Sequence, residues 1–210
     1  MMRSGFQAGL DALELALQDS GALVVQAVRG ALVALEDFDE GLVDHLAGID
    51  ADVDERFLQI ERDVETLLAR QAPVAGDLRV VLTVLHVNLH LERMSHNATR
   101  VAWLCEPTDG LDSASVAAIR VGEMTRVALD ALALRDLDRA HSLQQLDELV
   151  DEQTGRVLTD LLERGDEDDL GPRAVLIARC LERIGDHAVK IGERVAYLLT
   201  GELREFTAAA

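Results

Sequence analysis

Apolar residues recur along most of this chain at intervals of three and four. The pattern is clearest near the C-terminus, where Ile177, Leu181, Ile184, Ala188, Ile191 and Val195 follow one another at i, i+3, i+4 and i+7. That spacing lays them along one stripe of a helix with 3.6 residues per turn. No segment alternates apolar and polar residues with the period of two that a half-buried strand needs. The periodicity predicts six helices, over 6–37, 40–70, 76–105, 113–136, 138–164 and 173–200. At 1.5 Å per residue these are rods of roughly 35–50 Å, and short connections set such rods antiparallel in a bundle. Pro73, Pro107 and Pro172 fall between the periodic segments, where a fixed φ and a missing N–H do least harm.

The two halves of the pattern repeat. A shift of 97 lays Ala34-Leu35 on Ala131-Leu132, Asp39 on Asp136, Leu46 on Leu143 and Val53-Asp54-Glu55 on Val150-Asp151-Glu152. After a seven-residue shortening the shift becomes 90, and Leu91-Glu92-Arg93 overlays Leu181-Glu182-Arg183. The expected fold is therefore all-α, with two tandem, internally repeated antiparallel three-helix bundles over residues 1–107 and 108–210.

The repeat also picks out acidic pairs. Asp50 and Asp54 recur as Asp147 and Asp151, while Glu92 and His96 recur as Glu182 and Asp186. Each pair is i, i+4, which sets two candidate ligands on one helical face. If the second and third helices of a half lie side by side, four ligands converge in each half. Oxygen-rich donor sets suit Mg, Mn or Fe, and Zn also accepts carboxylate and imidazole; His96 adds one nitrogen in the first half. The plainer alternative is a solvated acidic flank, since the chain has 39 Asp and Glu residues. Glu182 and Asp186 lie far from the centre of the apolar stripe, so a site there is open. A buried di-iron centre would need Glu-x-x-His pairs, and none of the six histidines has Glu three residues before it.

Composition narrows the functions. Of 210 residues 49% are apolar but only 3% aromatic, so the core must be aliphatic. A formal charge of −19 leaves no basic face of the kind that displaces counterions from nucleic acid, and no nucleic-acid partner is expected. Cys105 and Cys180 stand far apart without a CxxC pair, which fits two reduced thiols rather than a disulfide or a zinc knuckle. The first residues lack a charged-then-apolar signal pattern, and no apolar run reaches membrane-spanning length. The expected location is the cytoplasm.

With these residues laid out, the chain resembles the PhoU family of phosphate-signalling regulators. Glu182-Arg183-Ile184-Gly185-Asp186-His187-Ala188 matches the family's ERIGDHA motif. Residues 71–79, Gln-Ala-Pro-Val-Ala-Gly-Asp-Leu-Arg, resemble its QxPVAxDLR turn, and the (E/D)xxxD pattern recurs at Asp50, Asp147 and Glu182. The likeness runs from about Leu10 to Gly201. It implies a non-enzymatic cytoplasmic regulator that commonly forms a homodimer. Such a regulator acts with a phosphate-sensing histidine kinase and the ATPase subunit of the phosphate ABC transporter, holding the starvation response off, and meets the membrane only through them. It also implies surface metal sites, iron clusters included, on the (E/D)xxxD carboxylates. His96 departs from the Asp usual at that place, and Trp103 stands where the second half has Glu193, so the second half is the better formed site.

Other residues carry structural expectations. Asp77 is placed to cap the helix after Pro73, and Gly185 and Gly192 to permit close helix approach. Glu193 falls on the acidic flank with Glu182 and Asp186. Arg183, His187, Lys190 and Arg194 form a basic line, with Lys190 in reach of Asp186 as an i, i+4 ion pair. No GxxxxGK[ST] loop occurs, so nucleotide hydrolysis has no support. A metal-dependent helical-bundle enzyme and a metal-free helical scaffold stay open as alternatives to the regulator.

Overall fold

The structure, a computed structural model, describes residues 2–70, 73–105, 112–164 and 170–206. Its helices are α1 Met2–Glu36, α2 Glu40–Arg70, α3 Ala75–Leu104, α4 Asp112–Leu134, α5 Leu137–Arg164 and α6 Leu170–Thr200. All six expected helices are present, with ends displaced by a few residues. The α6 helix starts early enough to take Pro172 into its first turn, where the N–H it lacks would have no intrahelical partner. Pro107 and the expected division at 107/108 lie outside the described residues.

Equivalent aspartates start the second helix of each half. The Gly41 amide donates to Asp39 Oδ1 at 2.8 Å, and the Arg139 amide donates to Asp136 Oδ1 at 3.0 Å. Ahead of Asp136, Arg135 takes a left-handed φ of 52°. The Asp136 amide then reaches back to Ala131 O at 3.0 Å, and that of Arg135 to Leu132 O at 3.4 Å. This double closure stops α4 in two residues and turns the chain into α5. Asp77, by contrast, makes no capping hydrogen bond; Val74 stands at the N-cap, and Asp77 only places its charge in the first turn of α3.

The two halves share one core rather than enclosing one each. Leu13 of α1, Val53 of α2, Leu91 of α3, Met124 of α4, Leu143 of α5 and Ile184 of α6 belong to the same buried cluster. The most extensive helix contact is between α3 and α6, one from each half. Contacts of α1 with α3, α1 with α4 and α4 with α6 close a four-helix centre; α2 packs outside α1 and α3, and α5 outside α4 and α6. The α3 and α6 helices run antiparallel. His90 meets His187 near their middles, while Gly201, just past the end of α6, lies against Arg79 near the start of α3. Two polar side chains tie α3 to α2: Asn88 donates to Phe57 O at 3.1 Å and Thr99 to Leu46 O at 3.3 Å.

Candidate functional site

The second-half carboxylates come from the facing sides of α5 and α6. Asp147 and Glu182 are half-buried, while Asp151 and Asp186 are exposed. Gly185 is what lets Asp147 in. A Cβ on Gly185 would stand 3.2 Å from Asp147 Oδ1 and 3.6 Å from Met124 Sδ. The glycine of the motif thus serves close approach, and what approaches is a carboxylate rather than only an apolar neighbour.

The four acids repel one another. Burial pushes the Asp147 carboxyl up to about 6, and Asp151, Asp186, Glu182 and Glu148 push in the same direction. Burial also raises Asp151, with Glu182 adding to it. Asp186 rises through burial, Glu182 and Asp151, against opposing pulls from Lys190 and Arg183. The nearest ion pair within the cluster is Arg179 Nη1 to Glu182 Oε2 at 3.5 Å, on an exposed guanidinium. A concentration of negative charge with so little internal compensation suits a cation.

The first-half set is arranged differently. Asp50 Oδ2 lies 3.5 Å from His96 Nδ1, while Asp50 Oδ1 is buried without a partner. Glu92 Oε2 is buried with Arg93 Nε 3.1 Å away but not in line for a hydrogen bond. Burial raises the Glu92 carboxyl; Asp54 and Asp50 add to this, and Arg93 and His96 oppose it. Where the second half has Gly185, the first has fully buried Ser95, whose hydroxyl makes no hydrogen bond. Asp54 and His96 are exposed. Among the described residues no three His, Cys, Asp or Glu side chains are already set around a metal position in either half. A bound ion would require the carboxylates to turn toward it.

Four placements differ from the sequence expectations. Glu193 is 6% exposed rather than on the acidic flank, and it is held by Lys190 Nζ at 3.0 Å and by the Phe206 amide at 3.0 Å. Lys190 therefore pairs with Glu193, three residues on, instead of Asp186. His187 turns into the α3–α6 seam, its Nδ1 3.3 Å from that of His90. Burial first, then the charge of His187 and its basic neighbours, lowers the His90 imidazole to about 4. Arg183 and Arg194 form no ion pair among the described residues, so the basic line is ion-paired at Lys190 alone among these cations. The His90–His187 contact between the halves has no signal in local periodicity; it depends on which helix lies beside which.

A family model described as PhoU domain matches this chain twice, over residues 17–104 and 118–195. The chain belongs to the PhoU family. A phosphate-specific transport system accessory protein PhoU homologue of Pseudomonas putida is 34% identical over 209 residues, covering 93% of this chain and 81% of its own. Its counterpart in Pseudomonas aeruginosa is 35% identical over 207 residues, covering 93% and 86%. The crystal structure of PhoU from Pseudomonas aeruginosa superposes with a TM-score of 0.85 at 32% identity, over 94% of this chain and all of that one. The phosphate transport system regulatory protein PhoU from Streptococcus pneumoniae gives a TM-score of 0.86 at 26% identity, over 95% and 99%. PhoU proteins are regulatory and accessory proteins rather than enzymes, which removes the helical-bundle enzyme from consideration. Among the described residues no helix of this PhoU homologue is long and apolar enough to cross a membrane.

Proposed function

We propose that this PhoU homologue is a negative regulator of phosphate uptake and phosphate-starvation signalling. It acts in the cytoplasm by binding the ATPase subunit of a phosphate ABC transporter and a phosphate-sensing histidine kinase. The observation that carries this reading is the match of both halves to the PhoU domain, together with likeness over nearly the whole chain to phosphate-specific transport accessory proteins. Deleting the gene and measuring phosphate-starvation transcripts in phosphate-rich medium tests it. Derepression is expected, and unchanged transcripts would overturn the reading. Recovery of the kinase and the transporter ATPase with a tagged copy from membranes checks the two partners.

The metal reading rests on donor chemistry. Asp147, Asp151, Glu182 and Asp186 would hold the ion through oxygen, with Gly185 leaving room for the Asp147 carboxylate. An iron, manganese, magnesium or zinc ion would relieve the repulsion that raises the carboxyls of Asp147, Asp151 and Asp186. Asp50, Asp54, Glu92 and His96 form the weaker set, because His96 adds no negative charge and already leans on Asp50. Metal analysis of Asp186→Ala and His96→Ala proteins distinguishes the halves. The first is expected to lose more metal; equal losses would remove the asymmetry. A homodimer completes the proposal, checked by light scattering.

A further inference from the structure

The α3–α6 seam carries cations on both helices. His90 and His187 meet there with their Nδ1 atoms 3.3 Å apart. Because the helices are antiparallel, residues before His90 on α3 lie opposite residues after His187 on α6. Arg93 and Arg183 therefore share one side of the histidine pair, while His86, Lys190 and Arg194 share the other. Long helical side chains lean toward the N-terminus of their own helix. Arg194 thus reaches back to the level of Lys190, where His86 stands on α3, and His86 leans toward Arg194 in return.

The two sides differ in how far carboxylates offset them. Arg93 and Arg183 are exposed; Arg93 Nε lies 3.1 Å from Glu92 Oε2, and Arg183 opposes the rise of the Asp186 carboxyl. On the other side Lys190 Nζ is taken by Glu193 at 3.0 Å and approached by Glu205 at 3.8 Å. Glu205 arrives because the chain folds back along α6 after Gly201, laying the Phe206 ring in the α5–α6 groove against His141 and over Gly192. Arg194 is half-buried and forms no ion pair among the described residues, although acidic residues outnumber Lys and Arg by 39 to 20. His86 and His90 beside it are half-buried too. Burial and then Arg194 lower the His86 imidazole; burial, His187, Arg194, His86 and Lys190 lower that of His90. A guanidinium partly out of water, facing neutral imidazoles rather than a carboxylate, suits an anion.

We propose that Arg194, His86 and His90 form an oxyanion site on the α3–α6 seam that takes inorganic phosphate. The planar guanidinium matches two phosphate oxygens with two parallel N–H bonds. A neutral imidazole keeps one N–H and one bare nitrogen. At neutral pH phosphate still carries a proton, which it donates to the bare nitrogen of His86. His90, its Nδ1 turned to His187, presents Nε2 to the anion. Sulfate has the same shape but no proton to give, so phosphate is the preferred ion. The inference deepens the regulator reading by giving it a phosphate input, and rests on that reading only for its cellular meaning. Binding is measured on purified protein, so its failure leaves standing a reading that transcripts test.

The probe is inorganic phosphate, titrated calorimetrically into the full chain after dialysis free of metal ions, so that the carboxylate clusters cannot hold the anion through a metal. One site with a dissociation constant of about 1 mM or tighter is expected. Arg194→Gln is expected to weaken binding about tenfold or more, as loss of a bidentate charge-assisted contact does, and His86→Ala about threefold. Arg183→Gln, beyond the histidine pair, is expected to change it by less than about twofold. Sulfate is expected to bind more weakly than phosphate. Circular dichroism checks that the variants stay helical. Histidine resonances of the unmodified chain follow the same titration without any substitution: those of His86 and His90 are expected to move saturably while His45 and His141 stay. No binding at millimolar phosphate, equal losses from Arg183→Gln and Arg194→Gln, sulfate as tight as phosphate, or equal movement of all the histidines would each overturn the proposal.

Discussion

At Asp147 the cost of the acidic cluster is greatest. Its folded carboxyl titrates at about 6, above its ordinary value of 3.8. The unfolded chain therefore loses that proton first as pH rises. Asp147's contribution to stability is complete below about 4, falls as pH rises through about 6 and stays lost above that. Asp147→Asn is expected to raise the unfolding free energy of metal-free protein at pH 7 by about 1–2 kcal/mol, reduced from the full shift because the cluster is partly exposed. Denaturant titration at pH 4 and pH 7 checks this; a loss of stability at pH 7 would show that the repulsion is not felt. Gly192 carries a steric constraint instead. A Cβ there would stand 2.6 Å from Leu143 Cδ1 and 3.0 Å from the Ala140 carbonyl oxygen. Leu143 can shift but the backbone oxygen cannot do so freely. Gly192→Ala is expected to cost about 1–3 kcal/mol in chemical denaturation, as overpacking of a tight contact does.

At the scale of elements, the caps and the folded-back end make separable contributions. The Arg139 amide lowers the Asp136 carboxyl through its hydrogen bond, with the Arg139 side chain assisting. The sign is opposite to that at Asp147: this stability is present at neutral pH and is lost as pH falls through the depressed value. Asp136→Ala is expected to lower the melting temperature at pH 7 and to change it little in strong acid. Calorimetry at the two pH values measures the difference. Phe206→Ala leaves Gly192 uncovered and removes a half-buried ring from the α5–α6 groove. A loss of about 1–2 kcal/mol is expected, with hydrogen exchange accelerated around Glu193 first. Uniform acceleration along the chain would argue that residues 201–206 are not a separate strap.

For the whole molecule, the shared core decides how the halves behave. Because α3 and α6 make the largest contact, neither repeat can leave without exposing the other. Urea unfolding is expected to give one transition, with Trp103 emission from the first half and helical ellipticity from both halves sharing a midpoint. Separate midpoints would mean that the repeats melt as independent bundles.

The sequence by itself determined the six helices and the repeat, while the cap it named, Asp77, gave way to Asp39 and Asp136 in the structure. The helices follow from residues within a few positions of one another, which is the range of helical periodicity, and the repeat from laying one half of the chain on the other. It also named the two sets of carboxylates, because i, i+4 spacing fixes a shared helical face. Local spacing could not say that Glu193 turns inward to meet the Phe206 amide, that His187 meets His90 across the halves, or that Asp147 fits against Gly185. Those contacts join residues on different helices or on a chain that has folded back. Burial and charge there are set by the neighbour that packing supplies, so only the tertiary structure decided them.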